Sequence, residues 1–146
     1  MMNRILKMLS AAAFMLLLAG QALSGMTAQA AELLMFKEDG CPWCMAFDRE
    51  VGRIYDNTSE ARIAPLKRVD IYAIPKEYRH VGTIIYRPTF VLLDDERHVI
   101  GRIEGYPGFD TFWERLDMLL DTLKEHEAKK AAQGKMSGSK PPAQEG

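Results

Sequence analysis

The chain has 146 residues, 19 Lys and Arg against 20 Asp and Glu, 47% hydrophobic residues and two cysteines. That length suits one domain, and a net charge of −1 gives no basic field for nucleic acid. Two cysteines are too few for a small scaffold stapled by several disulfides.

In chain order, "MMNRILKML" carries Arg4 and Lys7 and no acid; an apolar run from Ala11 to Leu23 follows, and "AQA" closes it at Ala30. This is the pattern of a secretory signal peptide over residues 1–30, cleaved after Ala30. Gly20, Gln21, Ser24 and Gly25 interrupt the apolar run, so it falls short of the roughly 20 residues that span a bilayer. Gln21 stands where a lipoprotein signal would carry its cysteine, and no twin arginine is present. The expectation is a soluble protein exported to a bacterial periplasm or to the outside. Losing Arg4 and Lys7 takes 19 basic residues to 17 against 20 acidic ones, a net charge of −3.

"AELLMFKEDG" predicts a strand over Leu33 to Phe36 and a glycine turn. A helical pattern follows, with Cys44, Phe47, Val51, Ile54 and Tyr55 at steps of three and four. "APLKRVDIYAI" predicts a second strand over Leu66 to Tyr72, and "PKEYRHVG" a helical turn or loop. "PTFVLLDD" and "RHVIGRIEG" predict two strands joined by a tight turn at Asp94, Asp95 and Glu96, an antiparallel hairpin. Strand, helix, strand at the start gives a parallel pair. After "GYPG" an amphipathic helix places Phe109, Phe112, Trp113, Leu116, Leu119, Leu120 and Leu123 on one face, a core stripe. The C-terminal stretch mixes Lys, Gly, Ser, Pro and Gln with little that is apolar, which predicts a folded domain over 31–128 and a disordered tail over 129–146.

The chemistry concentrates in "GCPWC", residues 40–44. A structural disulfide here would close a loop holding only Pro42 and Trp43, so it would remove little entropy from the unfolded chain. His80, His98 and His126 lie far apart with no paired spacing of the zinc type, so no metal site is expected. A reactive dithiol remains. Cys41 falls at the N-cap and Pro42 at the first helical position, where its missing N–H costs nothing. The helix start favours the Cys41 thiolate, the nucleophilic form, and Cys44 one turn inside suits release of a mixed disulfide. No cofactor beyond this cysteine pair is called for. Trp43 offers a flat apolar contact for a partner, with a plain surface aromatic as the alternative.

The order strand, "CPWC", strand, "RPTF", hairpin, Gly105 and closing helix resembles the thioredoxin superfamily. Only 43 residues separate Cys44 from Pro88, little space for the insertions of larger relatives. More narrowly, "MFKEDGCPWCMAFDREVGRIY", "LKRVDI" and "RPTFVLLDDERHVIGRIEGYPG" are similar to the small periplasmic thioredoxins of bacterial thiosulfate oxidation, the SoxS type. The resemblance implies an α/β thioredoxin-like fold, a minimal four-stranded mixed sheet flanked by helices. It implies a cis peptide before Pro88, facing the cysteines, and a backbone at Arg87 that pairs with a substrate chain. It further implies a monomeric thiol–disulfide oxidoreductase that reduces the carrier cysteine of the SoxYZ complex and draws electrons from a membrane thiol transporter. A general periplasmic oxidant or isomerase, and a non-catalytic binding module of the same fold, are the alternatives. Met35 takes the place of the usual buried carboxylate, six residues before Cys41; Glu38 and Asp39 lie nearer. Arg87 either strengthens the thiolate and meets an anionic substrate group or turns to solvent.

Overall fold

The computed structural model describes residues 31–137; the expected leader over 1–30 and the last residues, 138–146, lie outside them. No helix among the described residues is long and apolar enough to cross a membrane.

Four strands form one sheet in the order β2-β1-β3-β4, with β1 at Glu32–Lys37, β2 at Leu66–Asp70, β3 at Thr89–Leu93 and β4 at Val99–Glu104. The β1 strand runs parallel to β2 and antiparallel to β3, and β3 runs antiparallel to β4. This is the expected mixed sheet. Its two central strands are apolar at nearly every position because both faces are covered. Leu33, Met35, Phe90 and Leu92 point into a core shared with Phe47, Val51, Tyr55, Phe112, Leu116 and Leu120. Leu34, Phe36, Val91 and Leu93 point the other way, onto Tyr78 and Val81 of a 3-10 segment at Lys76–Val81.

Helix α1 spans Pro42–Phe47 and passes into a π-helical turn at Asp48–Gly52, then a 3-10 turn at Tyr55–Asn57. The wider turn spoils the 3.6-residue period. Val51 and Tyr55 keep the buried face, but Ile54, expected on it, is exposed. Helix α2, Ser59–Ile63, was not expected; Thr58 caps it, its Oγ1 accepting from the N–H of Ala61 at 3.2 Å. A Thr58→Ala variant should lose about 1 kcal/mol of unfolding free energy in urea titration. The β2 strand stops at Asp70, two residues before the expected end, because the Asp70 carboxylate accepts the Tyr72 N–H at 2.9 Å and turns the chain.

Helix α3 covers Phe109–Ser137 and so runs past the expected domain end at 128 into the segment read as a tail. The reason is intrinsic propensity: "EAKKAAQ" is rich in Ala, Lys and Gln, good helix formers even with nothing to bury. Lys130 also ties this turn back to Asp95 and Glu96, at 2.8 and 2.7 Å.

Candidate active site

The site starts where β1 ends. Gly40 has φ +77, a conformation that glycine alone adopts without cost, and it turns the chain into α1. Cys41 is the N-cap, as expected, with extended backbone; its Sγ accepts the N–H of Cys44 at 3.1 Å and its carbonyl the N–H of Met45 at 3.1 Å. Pro42 occupies the first helical turn. Cys41 and Cys44 form a disulfide with their Cα atoms 5.3 Å apart. Both residues are buried, 6% and 3% exposed. Trp43 between them stands 61% exposed.

Pro88 comes from the neighbouring strand. Phe36, at the end of β1, is in register with Thr89, so Pro88 lies at the end of the sheet where β1 turns into the cysteine segment. The Arg87–Pro88 bond is cis and Pro88 is buried. Two bonds hold this segment: the Thr89 hydroxyl donates to the Tyr86 carbonyl at 2.7 Å, and the Gly105 N–H to the Pro88 carbonyl at 2.8 Å.

Arg87 is partly exposed and pairs with Glu38. Its Nε is buried and lies 3.1 Å from Glu38 Oε2, an ion-pair contact without a well-aligned hydrogen bond, and its Nη1 donates to the Ile85 carbonyl at 3.0 Å. The Tyr72 hydroxyl donates to the same Glu38 oxygen at 3.2 Å. The guanidinium charge is therefore offset by a carboxylate three residues ahead of Cys41. Asp39, in contrast, is exposed; its carboxyl is held below the usual range by a hydrogen bond from Lys37 at 2.7 Å. Met35 is fully buried in the core, and Glu38, half-buried, is the acid that pairs with Arg87.

A Glu38→Gln variant removes one anion near Cys41 and frees the Arg87 cation. The Cys41 pKa in the reduced protein should fall, read from ultraviolet thiolate absorbance against pH; an unchanged or raised value would mean that Glu38 and Arg87 do not act on the sulfur.

Sequence reasoning did not single out Ile85, Tyr86 or Tyr72, which are 65%, 56% and 79% exposed. Ile85 and Tyr86 immediately precede the cis bond, and the available signal was "IIY" in a segment with no strand partner. The Tyr72 hydroxyl reaches Glu38, three residues ahead of Cys41.

A cysteine pair at a helix start, beside a cis-proline segment of a mixed four-stranded sheet, defines a thioredoxin-fold thiol–disulfide oxidoreductase. No family model matches the chain, and no curated protein does. Among solved structures, the periplasmic thioredoxin SoxS from Paracoccus pantotrophus, in reduced form, is 36% identical; the match covers 63% of this chain and 97% of that one, with a TM-score of 0.57. A thioredoxin-fold protein from Helicobacter pylori, 16% identical over 72% of this chain and 86% of its own with a TM-score of 0.50, shares the fold alone. The chain belongs to the thioredoxin superfamily, and within it resembles SoxS.

Proposed function

We propose that this oxidoreductase works in the periplasm and reduces the oxidised carrier cysteine of the SoxYZ complex during thiosulfate oxidation. The observation that carries the reading is the 36% identity to SoxS across nearly all of that protein, combined with the cysteine pair and the cis Arg87–Pro88 bond. The secretory pattern of residues 1–30 supports the compartment.

In the reduced protein the Cys41 thiolate attacks a sulfur of the partner's disulfide or polysulfide. A bond forms between that sulfur and Cys41, and the displaced sulfur leaves as a thiolate. Cys44 then loses its proton and attacks Cys41 Sγ, closing the Cys41–Cys44 disulfide and releasing the partner's thiol. Two electrons pass to the partner; the proton that Cys41 shed in forming its thiolate and the one that Cys44 loses end on the two displaced sulfurs. Pro42 sets the helix start, Pro88 and the Arg87 backbone receive the partner's chain, and Trp43 packs on it. A reductant in an oxidising compartment needs its own supply, which we assign to a membrane thiol transporter.

A Cys44→Ser trap tests this. The tagged variant, expressed in its host growing on thiosulfate, should hold one dominant disulfide adduct with the SoxYZ carrier on Cys41. A spread of unrelated exported proteins would replace this reading with general thiol exchange.

A further inference from the structure

Far from the cysteines, the fold brings together residues that the sequence keeps apart. Leu93 pairs with Glu32, so the turn after β3 lies at the opposite end of β1 from the cysteine segment. Asp94 anchors that turn with a fully buried side chain. Its Oδ1 accepts the N–H groups of Glu96 and His98, at 2.9 and 2.7 Å. Its Oδ2 faces two imidazoles, His98 Nδ1 at 3.0 Å and His126 Nε2 of α3 at 3.2 Å. The three ligand atoms lie within 4.8 Å of one another.

This arrangement has the dimensions of a metal site. Metal bonds of about 2.0–2.1 Å at a tetrahedral centre put neighbouring ligand atoms about 3.3 Å apart, and both oxygen–nitrogen distances are already close to that edge. Each imidazole binds through the nitrogen it now turns to Asp94, any proton there passing to its other nitrogen through water. The backbone bonds to Oδ1 hold the carboxylate in orientation, the task of an outer shell. Glu96 Oε2 lies 3.7 Å from His98 Nδ1 and can supply a fourth ligand. The neighbouring cations are balanced: Lys130 meets Asp95 and Glu96, and Lys129 meets Glu125 at 3.9 Å. The histidines are 62% and 44% exposed and line an open cleft of about 540 Å³, which gives an ion a way in.

We propose that Asp94, His98 and His126 bind a divalent transition-metal ion of the zinc class, with Glu96 or water completing the coordination. Two imidazoles and a carboxylate suit zinc better than calcium or magnesium, which take oxygen ligands. Placed away from the cysteines, the ion braces α3 against the β3–β4 turn and takes no part in thiol exchange. Sequence spacing does not reveal this cluster because His126 reaches the turn's Asp94 and His98 from a separate element.

Zinc chloride titrated by calorimetry into the untagged protein, its Cys41–Cys44 disulfide intact, tests the site. One ion should bind per chain, and at about a hundredfold excess over the dissociation constant Tm should rise by about 10 °C. His98→Gln and His126→Gln, each shown folded by circular dichroism, should weaken binding at least about tenfold, since even outer-shell changes do so. His80→Gln should leave it unchanged. An absence of saturable binding up to about millimolar zinc, or binding undiminished in both cluster variants, would overturn the proposal.

Discussion

A Cys41→Ser variant should lose at least about a thousandfold in the rate at which the reduced protein cleaves a protein disulfide. The expectation rests on position as well as chemistry. Cys41 is the N-cap, its Sγ receives the Cys44 N–H at 3.1 Å, and that contact favours sulfur as an anion. A serine hydroxyl in the same place stays protonated at neutral pH and cannot attack. Cys44→Ser should behave differently: the first attack on a substrate survives, but the mixed disulfide accumulates because nothing releases it. Stopped-flow reduction of a disulfide-bonded test protein, with quantification of the adduct by mass, separates the two. The reverse pattern, with adducts on Cys44 in the Cys41 variant, would make Cys44 the attacking sulfur. Unchanged partner binding and biological activity in a double Cys→Ala variant would instead mean a binding module.

Phe47→Ala should cost about 3–5 kcal/mol of stability, read from denaturant unfolding, and lower Tm by roughly 15 °C or more. Phe47 is fully buried and closes α1. Its ring centroid lies 4.7 Å from Phe90, 5.1 Å from Phe112 and 5.6 Å from Tyr106. One ring thus joins the cysteine helix to β3, to α3 and to the segment before it. Truncation leaves a cavity between rigid aromatic neighbours that cannot collapse into it. Set against a total of about 5–15 kcal/mol for a domain, the loss is large. Phe47→Leu keeps most of the volume and should cost under about 2 kcal/mol. Because the ring pins the helix that presents Cys41, the alanine variant should also exchange disulfides more slowly below its Tm. A wild-type melting curve would show that the aromatic cluster does not hold the helix.

The elements that were legible carry strong local signals. Leu33 to Phe36 and the "TFVLL" run are apolar enough to be strands, and Gly40, Cys41 and Pro42 spell a turn, a cap and a first helical residue. The α3 stripe through Phe112, Leu116, Leu120 and Leu123 is buried as its period requires. Where the local signal is mixed, the reading slipped. Ile54 fits a regular helix but meets a π-helical turn, and the segment from Lys129 is poor in apolar residues, as a tail is, yet rich in helix formers. The cis bond at Pro88 was expected only through the family resemblance, since nothing in the residues themselves favours it.

Taken alone, the amino-acid sequence determined the strands, the position of Cys41 at a helix start and the closing amphipathic helix, because these depend on side-chain period and backbone preference within a few residues. Only the tertiary structure decided which distant groups meet. Glu38 offsets Arg87, and Asp94 faces His98 and His126, through contacts between separate elements. The first follows from the pairing of β1 with β3 and the second from how α3 packs on the hairpin, outcomes of the whole buried core that no local window of residues contains.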